Sequence, residues 1–391
     1  MPAMNKSIKL FRESAISYIT KLNDKYDAIN LSEGVPGLEP PEEMLKALTK
    51  SAASGPHQYA PSSGYDSIKK IIADKAGMTY GREVNPEKEI VVTCGATEGL
   101  ICTLLAMLNS GDKVMVFSPF YESYGPDILL SGGEPVFIKF DPFTYEFDME
   151  EIRDGFKNGA RAIIICNPNN PGGKVFTREE LKEIGNLAKK YDAFIIADEV
   201  YEHIVFQPSK FVSVASIEGL YDNTVVCNSI SKTFSSSGWR VGYVTGPERI
   251  IENVKKVHDY VTSGAPSILQ KTAECGFELD ESYYAQLNGF YMSRRDYFAK
   301  KLDEAGIKHN NPQGTFFMLI DISQYLKLDA FKEYSDMDFC KWMIENIGVT
   351  AVPGSGFLLE NTSNFIRVHF AKDFDVLNEA AKRFAELNCL T

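Results

Sequence analysis

The sequence predicts an α/β protein with a mostly parallel seven-stranded sheet flanked by helices, together with a smaller α+β unit. The first observation is a series of short apolar runs between Ile90 and Val244, each of which has the length of a buried strand. The second is helical periodicity between several runs, notably in Thr97–Leu108 and Arg178–Lys190. Apolar strands that alternate with helices form parallel sheets covered on both faces, which accounts for the larger unit. The third is a change of pattern after Gly246, where three long helices precede scattered strands.

The chain length favours two domains, because 391 residues exceed the usual size of one compact core. We predict a large domain at residues 46–285 and a small domain formed by residues 1–45 and 286–391. The N-terminal helix is assigned to the small domain because it has no place in the central sheet.

The region before the sheet is predicted to be helical with two conspicuous loops. An amphipathic pattern covers Ser7–Lys25, and further helices are expected at Pro41–Ser51 and Ser67–Gly77. The glycines and prolines of residues 32–37 indicate a loop, and a second loop, residues 57–65, carries Tyr59.

The remaining elements follow from periodicity and composition. The predicted strands of the sheet are Ile90–Thr93, Val114–Phe117, Val136–Ile138, Ala162–Ile165, Phe194–Ala197, Val225–Cys227 and Val241–Val244. The later elements are predicted as helices at Glu248–Tyr260, Pro266–Leu279, Tyr283–Glu304, Met337–Ile347 and Phe374–Leu387, and strands at Phe316–Asp321, Val349–Val352 and Phe365–Phe370.

Composition excludes several functional classes. The 41 basic and 53 acidic residues give a net charge of −12, which disfavours a nucleic-acid or anionic-membrane partner. The 7 cysteines are widely spaced and form no Cys-x-x-Cys pair, so we expect free thiols in a reducing compartment and no metal site. The N-terminal residues lack the apolar core of a signal peptide, so a cytoplasmic location is expected.

The segment from Ser229 to Arg240 is the strongest candidate for a functional site. It lies between two apolar runs and places Lys232 among small polar residues, with Arg240 eight positions later. A lysine amine can form a Schiff base with an aldehyde, and Ser229 and Arg240 can hold an anionic group of the same ligand. An aldehyde and a phosphate together describe pyridoxal phosphate, although an exposed polar turn would have the same composition.

Two further loops follow predicted strands and carry polar groups. Gly95–Leu100 opens a helix directly after a strand, so its backbone amides and the Thr97 hydroxyl can bind a phosphate. The alternative is that this segment is a capped helix start that binds no ligand. Asn170 lies in a proline-bounded loop after Ala162–Ile165, where its amide can donate a hydrogen bond to a ring oxygen; plain turn chemistry favours the same residues.

Two charged residues in apolar surroundings need partners. Asp198 leaves a buried strand, so its negative charge needs a partner. A protonated pyridine nitrogen would compensate this charge, and Tyr201 could reach the neighbouring ring oxygen. The alternative is a salt bridge between Asp198 and another base. Arg367 lies in the strand-like run Phe365–Phe370, where it can bind the carboxylate of an amino acid or an internal acidic residue.

In order and spacing, these motifs resemble the class I/II aminotransferases, which depend on pyridoxal phosphate and have fold type I. The resemblance extends from about Leu31 to the end of the chain and is strongest to the kynurenine, glutamine and methionine aminotransferase branch. It implies catalytic roles for Lys232, Asp198 and Tyr201. The implied cofactor contacts are Lys232, Ala96, Thr97, Tyr121, Asn170, Asp198, Tyr201, Ser229, Arg240 and, from the partner subunit of a homodimer, Tyr59. The implied substrate contacts are Arg367, Gly34 and Asn170.

The expected reaction moves the amino group of an L-amino acid to a 2-oxo acid, with Lys232 transferring the α-proton. The resemblance to this branch implies aromatic, methionine-like or glutamine-like donors. Several aromatic residues are candidates for an apolar pocket or, equally, for the core, namely Tyr18, Phe120, Tyr121, Tyr124, Phe316 and Phe357. A carbon–sulfur β-lyase on the same scaffold is the alternative enzyme. A regulatory module that only binds the cofactor is disfavoured, because the chain has no basic helix-turn-helix segment.

Overall fold

The computed structural model describes residues 13–359 and 362–390. Its helices are α1 Ala15–Tyr26, α2 Glu42–Ser54, α3 Asp66–Tyr80, α4 Gly95–Met107, α5 Tyr124–Leu130, α6 Met149–Lys157, α7 Arg178–Lys190, α8 Ile230–Thr233, α9 Glu248–Val261, α10 Ser267–Phe277, α11 Glu281–Glu304, α12 Asp336–Asn346 and α13 Phe374–Ala385. Its strands are β1 Ile29–Asn30, β2 Ile90–Thr93, β3 Lys113–Ser118, β4 Glu134–Lys139, β5 Ala160–Cys166, β6 Phe194–Asp198, β7 Thr224–Ser229, β8 Gly242–Thr245, β9 Phe317–Asp321, β10 Val349–Thr350, β11 Val352–Pro353 and β12 Phe365–His369.

A seven-stranded sheet forms the centre of the molecule and confirms the predicted fold class. Its strand order is β2-β8-β7-β6-β5-β3-β4. The strands from β7 to β4 pair in parallel, and β8 alone runs antiparallel to both of its neighbours. The interior strands β5, β6 and β7 are almost entirely buried, because helices cover both faces of the sheet. Burial of both faces explains why the sequences of these strands are continuous apolar runs.

The carboxyl edge of the sheet collects the polar side chains that the sequence singled out. Asp198 is the last residue of β6, and Ser229 is the last residue of β7. Helix α4 starts two residues after the end of β2, and α8, which carries Lys232, follows β7 directly. Strands that run in parallel end at one edge, so residues far apart in the chain meet there.

The C-terminal part of the chain builds a second layer around a three-stranded antiparallel sheet, β11-β12-β9, and the parallel pair β1-β10. Ile19 of α1 is buried in one cluster with Phe339 and Met343 of α12. The N-terminal helix therefore packs on the C-terminal elements. The domain boundaries themselves stay a prediction.

The structure differs from the predicted elements in three places. Residues 7–12 of the first predicted helix lie outside the described part, and α1 begins at Ala15 because the Ser14 side chain caps it. The run predicted as one strand at Val349–Val352 is split at Ala351, since β10 pairs with β1 and β11 pairs with β12. The short helices α5, α6 and α8 were not expected.

Two features bear on location and redox state. Within residues 13–359 and 362–390, no helix is long and apolar enough to cross a membrane. All of the cysteines are free thiols, as predicted; four of them are buried, whereas Cys389 is exposed.

Candidate active site

A cavity of about 360 Å³ lies at the carboxyl edge of the central sheet. With the exception of Tyr59, every site residue proposed from the sequence lines it. Those residues are Gly34, Ala96, Thr97, Tyr121, Asn170, Asp198, Tyr201, Ser229, Lys232, Arg240 and Arg367. Motifs separated by more than three hundred residues of sequence therefore share one cavity.

Lys232 points its amine into the cavity from the short helix α8. The Ser229 hydroxyl caps this helix by accepting a hydrogen bond from the Ser231 amide at 3.1 Å. The Lys232 Nζ donates to the Gly34 carbonyl at 2.8 Å and to the Ser237 hydroxyl at 3.4 Å. Burial, followed by the charges of Arg367 and Arg240, lowers the pKa of Lys232 to about 8. A larger fraction of this amine than of an ordinary lysine is therefore neutral near physiological pH, and the neutral form is the one that a nucleophile or base requires.

Asp198 is a buried carboxylate at the end of β6. Its Oδ2 accepts a hydrogen bond of 2.6 Å from the Tyr124 hydroxyl, and Oδ1 accepts a longer one, of 3.4 Å, from the Val200 amide. Burial raises its pKa, while these hydrogen bonds and the charge of Lys232 oppose the rise. Among the described residues, Asp198 has no basic partner within ion-pair distance, so the salt bridge considered from sequence is absent there. A cationic ligand group in the cavity would supply the missing charge.

The start of α4 and Arg240 form the anion-binding end of the cavity. The Arg240 side chain donates to the Ser237 carbonyl at 2.9 Å and to the Cys94 carbonyl at 3.4 Å. A Cβ atom at Gly95 would collide with the guanidinium, so glycine is needed for this close approach. Ala96 and Thr97 lie in the first turn of α4, where unpaired amides favour an anion.

Arg367 is a fully buried cation on β12. Nη1 donates to the Asn170 side-chain oxygen at 3.1 Å, and Nη2 donates to the Ser32 carbonyl at 3.0 Å. Its Nε is buried without a hydrogen-bond partner, and no carboxylate of the described residues lies within ion-pair distance. The ring of Phe317 stacks at 4.1 Å from the guanidinium carbon. The internal acidic partner considered from sequence is therefore not found in the described chain, and the guanidinium can take up a carboxylate from the cavity.

Gly34, Tyr201 and Tyr121 occupy distinct parts of the cavity wall. Gly34 contacts the site through its carbonyl, which accepts a hydrogen bond from the Lys232 amine. Tyr201 is buried with its ring edge-on to Phe316, at 5.6 Å between ring centroids. The Tyr121 ring lies 5.7 Å from that of Tyr124.

Several lining residues were missed as site contacts by the sequence analysis. They are Ile16, Leu100, Glu122, Ser123, Cys166, Val200, Ser231, Ser237 and Phe317. Tyr124 was expected only as a pocket aromatic, yet it is the main hydrogen-bond donor to Asp198. No local sequence signal could indicate this contact, because the two residues lie 74 positions apart in the sequence.

The aromatic pocket expected from the sequence is only partly present. Tyr121 and Tyr124 line the cavity, whereas Phe316 and Phe357 are buried in core clusters, and Phe317 takes the wall position next to Phe316. Successive side chains at a strand start point to opposite sides, so a single-residue shift exchanges core and wall. Phe120 and Tyr18 do not line this cavity.

Tyr59 is the one predicted contact that the single chain does not bring to the cavity. Its side chain is 90% exposed. A contribution from a partner subunit, as predicted, is untested by a single chain.

Comparison with known proteins identifies relatives over nearly the full length. Residues 26–384 match the family model described as aminotransferase class I and II. The chain is 32% identical to kynurenine–oxoglutarate transaminase 1 of Homo sapiens, over 95% of this chain and 96% of the relative. It is also 32% identical to an aspartate aminotransferase of Thermotoga maritima, over 92% and 91%. The solved structure of YbdL from Escherichia coli, described with a methionine aminotransferase function, superposes with a TM-score of 0.91 at 30% identity and covers 99% of this chain and 100% of that one.

Proposed function

The chain belongs to the aminotransferase class I and II family, and from this premise we propose that pyridoxal 5′-phosphate bound at Lys232 serves its reaction. The protein is an amino-acid aminotransferase, as its relatives are. The names of these relatives favour amino transfer over the carbon–sulfur lyase considered from sequence.

The donor set of the cavity fits this cofactor. Its phosphate matches the start of α4, the Ser229 hydroxyl and Arg240, which has no carboxylate partner among the described residues. Its pyridine nitrogen matches Asp198, which has no basic partner within ion-pair distance in residues 13–359 and 362–390. When bound, pyridoxal phosphate supplies an aldehyde that condenses with amines and a ring that withdraws electrons from the α-carbon.

The aromatic and amide groups complete the proposed cofactor contacts. Tyr121 would stack on the ring, and Asn170 and Tyr201 would hold its hydroxyl oxygen. All three line the cavity with Lys232, which supports these assignments.

Lys232 is proposed as both the attachment point and the proton carrier. With the cofactor in place, the Nζ of Lys232 would carry the proton that leaves the substrate α-carbon. The lowered pKa of about 8 supports this role, because a neutral amine is needed to accept the proton.

Arg367 is proposed to bind the α-carboxylate of the substrate, helped by Gly34 and Asn170. A guanidinium offers two parallel donors to a carboxylate, and the partnerless Nε is one more donor available to it. The carboxylate would thereby orient the α-carbon toward Lys232.

We propose neutral amino donors, in particular aromatic, methionine-like or glutamine-like ones. Ile16, Tyr121 and Phe317 give the cavity wall an apolar part. The resemblance to a kynurenine transaminase and to a protein with methionine aminotransferase function supports the same class.

The assembly proposed is a homodimer with shared active sites, in which the partner's Tyr59 reaches the phosphate. Its support is the exposure of this side chain on a loop that the sequence resemblance assigns to the neighbouring site. A cytoplasmic location is proposed on the free thiols, which suit a reducing compartment.

One observation carries the proposal: a lysine amine of lowered pKa shares a cavity with a buried carboxylate and a buried arginine, neither of which has an ion-pair partner among the described residues. Reduction of the reconstituted protein with borohydride, followed by peptide mapping, tests it. The cofactor mass should be found on the peptide that contains Lys232, and Lys232→Ala should lose both the label and repeated turnover. A label on another lysine, or continued turnover by Lys232→Ala, would contradict the assignment.

A further inference from the structure

Glu122 is an acidic residue in the wall of the cavity to which no role has been assigned so far. It lies in the connection between β3 and α5, next to Tyr121. Its Oε1 accepts a hydrogen bond of 2.8 Å from the hydroxyl of Ser14, the residue that caps α1. Among the described residues, no lysine, arginine or histidine lies within ion-pair distance of its carboxylate.

Two hydrogen-bond donors face Glu122 and favour its ionised form. The Ser14 hydroxyl and the Ile16 amide both donate to it, and a carboxylate can only accept, whereas a protonated acid would also need an acceptor. Burial raises the pKa of Glu122, but the Ser14 hydrogen bond and the charge of Arg367 oppose this rise.

The position of Glu122 in the cavity is defined by the other residues that line the wall. The start of α4, Ser229 and Arg240 form the anion-binding end, and Asp198 lies at the floor of the cavity at the end of β6. The Arg367 guanidinium carbon lies 4.7 Å from the centre of the Phe357 ring. The Phe120 amide, two residues before Glu122, donates a hydrogen bond of 2.9 Å to the Phe357 carbonyl, so Glu122 lies on the Arg367 side of the cavity. A substrate held there by its α-carboxylate extends its side chain along the wall made by Ile16, Phe317 and Glu122.

This wall combines apolar surface with one negative charge. A second carboxylate in the substrate would face Glu122 in a partly dehydrated cavity, where like charges repel strongly. A carboxamide or an aromatic amine has nearly the same shape but offers N–H donors to the same oxygen atoms.

We propose that Glu122 is a specificity-determining residue, which excludes substrates with acidic side chains and favours neutral side chains that carry an N–H donor. The inference rests on the proposed function and names its substrate class. It separates this chain from a relative named for aspartate, although both belong to one family.

The same cavity must accept the 2-oxo acid, so the rule applies to both halves of the reaction. A dicarboxylic 2-oxo acid such as 2-oxoglutarate should therefore be a poorer acceptor than a neutral one such as phenylpyruvate. This expectation differs from the name of the human relative, which specifies oxoglutarate.

A purely structural role for Glu122 is the competing explanation, since its hydrogen bond to Ser14 also fixes the start of α1. Two variants separate these roles. Glu122→Gln removes the charge and keeps the shape, whereas Ser14→Ala removes the hydrogen bond and keeps the charge. A structural role changes the rates for all donors in parallel, but a specificity role changes their ratio.

The experiment measures kcat/KM of the holoenzyme in half-reactions with L-glutamine, L-glutamate and L-methionine, read from the cofactor absorbance. Glutamine and glutamate are nearly isosteric, and methionine is a neutral reference without an N–H donor in its side chain. In Glu122→Gln, the glutamate rate relative to methionine should rise by about tenfold or more, which corresponds to ~1.4 kcal/mol, and the glutamine rate relative to methionine should fall. Ser14→Ala should keep both ratios close to those of the wild type.

Two results would overturn the inference while leaving the proposed function intact. One is a wild-type enzyme that uses glutamate as well as glutamine. The other is a glutamate-to-methionine ratio that Glu122→Gln leaves unchanged while methionine is still converted. Failure of the wild type with every donor would instead overturn the proposed function, and this inference with it.

Discussion

The hydrogen bond between Tyr124 and Asp198 decides how the carboxylate at the end of β6 is held. The Tyr124 hydroxyl lies 2.6 Å from Oδ2, and both groups are buried. Burial raises the pKa of Asp198, and this hydrogen bond is the first of the interactions that oppose it. The Tyr124 hydroxyl is therefore a positioning contact that favours the charged form of the carboxylate.

Replacement of Tyr124 by Phe should weaken both stability and catalysis. We expect the free energy of unfolding to fall by about 1.5–3 kcal/mol, the usual range for a hydrogen bond to a charged group. The pKa of Asp198 should rise further, so the acid limb of the kcat-versus-pH profile should move to higher pH.

Tyr80→Phe is the matched control, because the Tyr80 hydroxyl pairs with the Thr245 hydroxyl at 2.8 Å and does not line the cavity. It should cost stability without moving the pH profile. Equal shifts of the profile in both variants would contradict the role given to Tyr124.

At the scale of elements, the contact between β8 and the start of α4 sets the geometry of the anion-binding end. A Cβ atom at Gly242 would lie 2.5 Å from the Ala96 amide nitrogen. No side chain fits there without moving α4 away from the strand. Strand β8 therefore packs directly against the backbone amides that are proposed to hold the phosphate.

The variant Gly242→Ala tests this packing. Forced separation of β8 and α4 should lower the free energy of unfolding by about 1–3 kcal/mol and should weaken cofactor binding, measured by titration of the apoenzyme.

Gly289→Ala on α11 is the control, since its Cβ would meet no atom within 4 Å. An alanine in a helix interior should raise stability by up to about 1 kcal/mol and leave cofactor affinity unchanged. A Gly242→Ala protein with wild-type affinity and stability would refute the close contact.

At the scale of the whole molecule, His258 connects three separate parts of the chain. From α9, its Nδ1 lies 2.8 Å from Glu98 Oε1 on α4, and its Nε2 lies 2.9 Å from the Ser62 carbonyl in the loop that also carries Tyr59. Both neighbours are acceptors, so the ring satisfies both only when it is doubly protonated. Glu98 also accepts from the Cys102 thiol, so hydrogen bonds account for the proximity of these three side chains.

The connection predicts a defined pH dependence of stability. Burial disfavours the charged ring, but the hydrogen bond and charge of Glu98 outweigh it and raise the pKa of His258 above 6.5. Burial likewise disfavours the Glu98 carboxylate, yet His258 and Cys102 bring its pKa below 4.5. The stabilisation of the fold by His258 is complete below pH 6.5 and is lost as the pH rises through the folded-state pKa of this residue. The stabilisation by Glu98 is lost as the pH falls below 4.5.

Thermal unfolding of the wild type and of His258→Gln across this range checks the sign. The difference in stability should be largest between pH 4.5 and 6.5 and should decline toward higher pH. Glu98→Gln should remove the same pH dependence. A difference that grows above pH 6.5 would show that His258 is neutral in the folded protein.

The sequence by itself determined the α/β class, the seven strands and most helices, because buried strands and amphipathic helices leave periodic patterns of apolar residues. It also named about half of the residues that line the cavity. Among them, Lys232, Asp198 and Arg367 follow or interrupt apolar runs, where a charged side chain needs a partner. These signals are local, so they can be read along the chain.

Only the tertiary structure decided which of these residues meet and which neighbours complete them. The contacts of Tyr124 with Asp198, of Ser14 with Glu122 and of His258 with Glu98 and Ser62 join segments 74 to 196 positions apart. Likewise, the choice of Phe317 over Phe316 as the cavity wall depends on how β9 is oriented in its sheet. No local pattern encodes such pairings, because they arise from the way that strands and helices stack once the chain has folded.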